Sequence, residues 1–277
     1  MYSANCRQGS LGTAIVQGIL ANKQRHFDTS TIKVTVTSQA SATALKHLFE
    51  ARPQVSVFEG HNASVAADSD VIILACPPTA TSEVLSETGL RHALRGKLLI
   101  SVLGGVTRQT IEDTLLNDQT PERCWVVRAL PNLAVASNAS ATAIEVSDPR
   151  PPKHLADLAD AIFSDLGGIV HVPSSLMDAS TVLCGSAPAF VALFLDGMID
   201  GAVAAGVPRE KADVMVAQML MSTSMLLKDQ RASTLRESIC AMPGCTVQGN
   251  LALEEGGARG ISAKAMKVAI EAASKLG

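Results

Sequence analysis

Residues 71–78 read Val-Ile-Ile-Leu-Ala-Cys-Pro-Pro. An apolar run of this length, closed at once by a Pro pair, describes a strand covered on both faces; a strand with one wet face would alternate apolar and polar residues. Leu98–Leu103 (LLISVL) repeats the pattern and stops at Gly104-Gly105, and Trp125–Ala129 (WVVRA) stops at Leu130-Pro131-Asn132. Upstream, the β-branched stretch Thr31–Thr37 (TIKVTVT) and the shorter Gln54–Phe58 are further strand candidates. Helical periodicity fills the intervals, over Leu11–Asn22, Ala40–Ala51, Thr79–Leu94 and Thr107–Leu116. Strands and helices in strict alternation specify an α/β domain with a doubly wound, Rossmann-like parallel sheet.

The texture changes after Pro173. Ser174–Ser224 reads as long helices rich in Ala, Met and Leu, with Pro188 in a first turn and Gly206-Val207-Pro208 separating two of them; Leu251–Leu276 is a further helical region. The expected division is a dinucleotide-binding domain over 1–172 and an all-α domain over 173–277. The helices Val182–Ala205 and Ala212–Leu227 carry apolar residues round much of their circumference, which calls for burial on more than one side. A homodimer through these helices would supply it.

Composition narrows the function. The chain has 277 residues, 47% hydrophobic and only 3% aromatic, so its core is aliphatic. The net charge is −3 with scattered basic residues, which argues against a nucleic-acid partner. The six cysteines form no C-x-x-C pair and no histidine flanks one at ligand spacing, so no metal site is expected and the thiols read as buried or loose, as in a reducing compartment. No apolar run approaches the ~20 residues that span a bilayer, and Met1–Arg7 lacks the apolar core of a secretory signal. The expectation is a cytoplasmic enzyme without a membrane partner.

Arg7-Gln8-Gly9-Ser10-Leu11-Gly12 precedes the amphipathic run Thr13–Leu20 and matches the second half of a dinucleotide fingerprint. Gly9 would let the backbone approach a pyrophosphate, Ser10 and Leu11 would offer helix-start amides, and Gly12 would permit close packing. The first glycine position holds Arg7, and no convincing strand comes before it. The sheet is therefore expected to lack its first strand, or to fill the place with Met1–Cys6. A plain Gly-rich helix start is the competing reading. After the strand Thr31–Thr37 stands Ser38 in place of the carboxylate that would bind the ribose hydroxyls of NAD, which favours NADPH, with NADH as the alternative. Ser38 as a simple turn residue stays open.

The ordered set of motifs resembles the pyrroline-5-carboxylate reductase family over nearly the whole chain. Leu183–Phe190 (LCGSAPAF) is similar to its "SGSGPAY" signature, Gly197–Arg209 to its "ADAGV…GLPR" stretch, Met242–Val247 to its "SPGGTTI" loop, and Leu253–Gly257 to "LEEGG". Leu74–Pro77, Ser101–Thr107 and Arg128–Asn132 resemble "AVKP", "S-x-x-A-G-V" and "R-x-M-P-N". Cys76 stands where the family has Lys; Cys184, Ala187 and Phe190 replace Ser, Gly and Tyr; the loop after Pro243 is one Gly shorter. The resemblance implies NAD(P)H-dependent reduction of a cyclic imino acid, most specifically 1-pyrroline-5-carboxylate to L-proline. It also implies intertwined dimers, with higher rings as a further form.

On that footing Pro243, Gly244, Cys245 and Thr246 would hold the substrate carboxylate on helix-start amides, with Thr246 at the imine nitrogen and Ser186 lining the pocket. Helix caps are the plainer readings of Thr246 and Ser186. Asn62 would contact adenosine, unless it is a surface loop amide. Cys76, Pro77 and Gly104 end strands where ligands bind in such sheets, and Asn132 would lie near the nicotinamide amide. Cys184 and Cys245 lack a nearby His or Lys and read as packing residues. Three further readings accompany the main one: a reductase of a modified cyclic imine, a catalytically impaired dimeric homologue, and a hydroxyacid dehydrogenase. The last is disfavoured because no Lys lies between Lys153 and Lys211. A truncated start or a weakened grip on the cofactor would each account for Arg7.

Overall fold

The structure is a computed structural model that describes residues 2–3, 11–22, 26–27, 29–115, 122–240 and 244–275. Arg7, Gly9, Ser10 and Pro243 lie outside the described residues. Two compact units are present, Met1–Gly185 with Ile270–Gly277, and Ser186–Ala269.

The first unit is built on one eight-stranded sheet. Its strands are β1 (Tyr2–Ser3), β2 (Ile32–Val36), β3 (Val55–Glu59), β4 (Val71–Leu74), β5 (Leu98–Ser101), β6 (Trp125–Leu130), β7 (Ser140–Val146) and β8 (Gly167–Pro173). Their spatial order is β3-β2-β1-β4-β5-β6-β7-β8. The first six run parallel in the order of a doubly wound nucleotide-binding sheet. The expected loss of the first strand is corrected: β1 is present, reduced to two residues. Tyr2 lies opposite Val34 and Ile73, and Ser3 opposite Thr35 and Leu74. A central strand draws ladder bonds from both neighbours, so even this short segment fills the place between β2 and β4.

The apolar runs behave as their composition demands. Successive side chains of a pleated strand point to opposite faces. Ile73, Leu98 and Ile100 accordingly join one core, with Ile15, Val16 and Ile19 of helix Leu11–Ala21 and Ile162 and Phe163 of helix Lys153–Ser164. Ile72, Leu74 and Leu99 join the other, with Val84, Leu85, Leu90 and Ile111. Helix Leu11–Ala21 approaches the turn Leu133–Ser137 so closely that a Cβ on Gly18 would fall 2.1 Å from the Val135 carbonyl oxygen.

Several elements differ from the sequence reading. The helix expected over Thr79–Leu94 is broken into Thr81–Leu85 and Leu90–Ala93, because Gly89 takes φ +87° between them. β7 and β8 were not anticipated. β7 pairs antiparallel with β6, and its buried polar residues Ser140, Thr142 and Glu145 interrupt the apolar signal. Glu145 is buried because Arg128 on β6 meets it at 2.9 Å, with both side chains 4% exposed. The Arg128 of the "R-x-M-P-N" resemblance is therefore a core ion-pair member.

The second unit is helical: Ala187–Ala204, Arg209–Leu226, Ala232–Ile239, Cys245–Glu255 and the body of Ala258–Ala273. Gly206 (φ +98°) and Gly257 (φ +70°) turn the chain between helices, the latter dividing the region expected to be continuous from Leu251. Among the described residues of this unit only Ile199, Ala212 and Leu235 are buried, while Leu193, Val214 and Met215 are 72%, 71% and 61% exposed. The helical run Ser174–Ala204 is also long and apolar enough, by length and composition, to cross a membrane. The sequence reading missed this because isolated polar residues such as Asp196 and Asp200 interrupt the apolar positions.

Removing one partner of a buried ion pair strands the other charge. Glu145→Ala is expected to lower unfolding free energy by about 3–5 kcal/mol, and the double replacement Arg128→Met with Glu145→Leu by much less, as read by urea denaturation.

Candidate active site

Parallel strands deliver their carboxyl ends to one edge, and loops there are free to hold a ligand because the backbone is no longer committed to the ladder. In the first unit that edge carries Thr37-Ser38 after β2, Gly60-His61-Asn62 after β3, Cys76-Pro77 after β4, Gly104-Gly105 after β5 and Pro131-Asn132 after β6. Leu11 opens the helix that follows β1. The topology thus brings Leu11, Ser38, Asn62, Cys76, Pro77, Gly104 and Asn132 to one edge of one sheet. The clefts of about 350 and 590 Å³ lie elsewhere, among the starts of β2 and β4 and beside β7 and helix Lys153–Ser164.

Each of these side chains has a local role that qualifies its expected one. Ser38 is exposed and caps helix Gln39–Leu48, its Oγ accepting from the Ser41 amide at 3.3 Å. Asn62 is not the surface amide of the plainer reading: it is 8% exposed, and its Nδ2 donates to Glu87 Oε2 at 2.6 Å while the Ala63 amide donates to Glu87 Oε1 at 3.0 Å. Cys76 turns its side chain into the core with Leu74, Val84 and Leu85. Burial pushes its thiol up, against a hydrogen bond with Thr81 that pulls it down. Only the backbone of Cys76 therefore remains to serve a ligand at the edge. Asn132 accepts from the Ala134 amide at 3.0 Å and donates from Nδ2 to the Cys184 carbonyl at 2.9 Å. Glu87 and Cys184 were missed by sequence reasoning: they lie 25 and 52 positions from their partners, beyond the reach of any local pattern.

In the second unit, Gly244 is the residue preceding helix Cys245–Glu255, extended at φ −159° and ψ 158°. Thr246 is inside that helix, half-buried, so it is not the N-cap that the plainer reading assigned. Cys245 is exposed. Asn250 of the same helix donates to Cys240 Sγ at 2.7 Å, linking the residues on either side of the Pro243 loop. Ser186 ends a π-helical turn, Val182–Ser186, and makes no side-chain capping bond to the helix after it. Burial raises the Cys184 thiol in that turn, which does not favour a nucleophile. Among the described residues no cluster of three or more potential ligands could hold a metal ion.

Residues 174–276 match the family model for pyrroline-5-carboxylate reductase dimerisation, and residues 8–105 that for NADP oxidoreductase, coenzyme F420-dependent. A pyrroline-5-carboxylate reductase of Lophium arboricola is 37% identical over 291 residues, covering 97% of this chain and 91% of the relative. The chain belongs to the pyrroline-5-carboxylate reductase family. Two solved reductases share its fold. That of Coxiella burnetii is 26% identical with a TM-score of 0.82, covering 99% of this chain and 97% of its own. That of Plasmodium falciparum, solved with NADP bound, is 22% identical with a TM-score of 0.82, covering 100% and 97%. The dimerisation match falls on the helices whose apolar residues stay exposed in a single copy, and it supports a pyrroline-5-carboxylate reductase homodimer.

Burial and a raised pKa make a thiol a poor nucleophile. Cys124, pushed up to about 12 by desolvation and then by the Glu112 carboxylate, and Cys76 are expected to resist iodoacetamide at pH 8 in the native protein and to react on unfolding, as followed by peptide mass spectrometry.

Proposed function

We propose that this chain reduces 1-pyrroline-5-carboxylate to L-proline with NADPH, NADH being the alternative donor. The observation that carries the reading is continuous similarity to a pyrroline-5-carboxylate reductase, at 37% identity, across both the nucleotide-type sheet and the helical dimerisation segment. The functional domains are 1–172 for the dinucleotide and 173–277 for substrate and dimerisation. Higher oligomers are built from the same dimer. The enzyme works in the cytoplasm, where its cysteines stay reduced, and the apolar run Ser174–Ala204 meets a second copy rather than a membrane.

The residues fit a phosphorylated dinucleotide. The end of β2 presents the exposed hydroxyls of Thr37 and Ser38 and no carboxylate to repel a 2′-phosphate. Gly9, Ser10 and Leu11 hold the pyrophosphate at the start of helix Leu11–Ala21, Asn62 adjoins the adenosine, and the backbone of Cys76, Pro77 and Gly104 borders the rest. The nicotinamide supplies the hydride when bound. The protein orients the reactants and secures charge. Amides of Gly244 and Cys245, with Pro243 shaping the loop, hold the substrate carboxylate at the start of a helix whose dipole favours an anion. The Thr246 hydroxyl hydrogen-bonds the imine nitrogen that gains a proton, and Ser186 lines the pocket. A protonated C=N carbon accepts a hydride without a nucleophile or a metal. Positioning alone supplies several kcal/mol of the barrier, up to ~7–11 in favourable cases.

The reading is tested by following NADPH oxidation with pyrroline-5-carboxylate and identifying the product; a folded dimer that binds NADPH yet forms no proline overturns it. Thr246→Val keeps the side-chain shape and removes the hydroxyl. It is expected to lower kcat/KM about 10- to 100-fold while leaving NADPH affinity within about twofold. Ser38→Asp retains a good helix cap and places a carboxylate before the 2′-phosphate. Its expected result is a KM for NADPH raised about tenfold or more with the KM for NADH little changed, read from steady-state rates with both donors.

A further inference from the structure

Pro188 is in the first turn of helix Ala187–Ala204 and has no amide hydrogen. In an α-helix that hydrogen would bond the carbonyl four residues back, which is Cys184. The chain takes a π-helical turn at Val182–Ser186, and the Cys184 carbonyl accepts instead from Asn132 Nδ2 at 2.9 Å. Asn132 is held from three sides at the end of β6. Its Oδ1 accepts from the Ala134 amide at 3.0 Å, and its own amide donates to Ser140 Oγ at 3.1 Å, which in turn shares a hydrogen bond with Thr142 Oγ1 at 3.1 Å. The amide cannot be flipped: the Ala134 N–H requires an oxygen and the Cys184 carbonyl requires an N–H. The side chain is thus engaged at both ends.

We propose that Asn132 is a positioning residue that holds the Val182–Ser186 turn through the carbonyl Pro188 leaves without its helical donor, and that it acts on the reaction through this turn rather than by binding the nicotinamide amide. The turn ends in Ser186, and π-helical turns gather at functional sites because they re-aim side chains that an α-helix would point elsewhere. The proposal rests on the imine-reductase reading for its kinetic consequence, and on the hydrogen bonds alone for its structural one.

The variants Asn132→Asp, Pro188→Ala and their combination test it. Asn132→Asp preserves the acceptor for Ala134 and sets a carboxylate oxygen against the Cys184 carbonyl. Expected are an NADPH Kd within about twofold of wild type, kcat/KM for the imine lowered about tenfold or more, and faster amide exchange over 182–190. Pro188→Ala returns an N–H to the Cys184 carbonyl, so in that background the Asn132→Asp loss shrinks to about threefold or less, a coupling an unrelated packing defect would not show. An NADPH Kd weakened about tenfold with exchange unchanged overturns the proposal, as does an equal loss in both backgrounds. If the wild-type protein turns over no imine, the functional reading fails, while the exchange and NADPH arms still decide the role of Asn132.

Discussion

The fold depends on burying both faces of a short parallel sheet. Alternate residues of β4 and β5 are committed to different cores, Ile73, Leu98 and Ile100 to one and Ile72, Leu74 and Leu99 to the other. Because both faces must be covered, each parallel strand is followed by a helix, and because the strands are parallel their loops open at one edge. The ligand-facing residues are therefore gathered by hydrophobic burial taking place well below them. Cys76 shows how strict the division is: one residue past β4 its side chain still belongs to the core, and only its main chain is left for chemistry.

Much of this was legible in the sequence. Uninterrupted apolar runs closed by Gly or Pro located β4, β5 and β6, since nothing else in a soluble chain needs such runs at that length. Ser38 and the helix after it were readable for the same local reason. β7 was not, because Ser140, Thr142 and Glu145 are polar residues whose burial depends on partners elsewhere, Glu145 on Arg128 above all. The partners of Asn62 and Asn132 were hidden likewise: Glu87 and the Cys184 carbonyl become neighbours only after the chain has folded. Residues whose role follows from their own conformation could be read, and those defined by a distant partner could not.

The helical unit illustrates the opposite economy. Three buried residues among those described are too few for an independent core, yet its helices carry leucine, methionine and valine on most sides. Such a unit reaches a normal interior only when apolar surface from another copy is added, so its folding and its association are one process.

The brevity of β1 has a consequence for how the protein opens. Tyr2 and Ser3 alone tie β2 to β4 through the described backbone ladder, so the join between the two sides of the sheet relies on helix Leu11–Ala21, whose Ile15 and Val16 lie in the same core as Val34 on one side and Ile73 on the other. That helix starts at the nucleotide loop. A dinucleotide bound there fastens the seam from outside, and coenzyme-free protein should loosen first along β2 and β3, as a partial opening that leaves β4 to β6 intact.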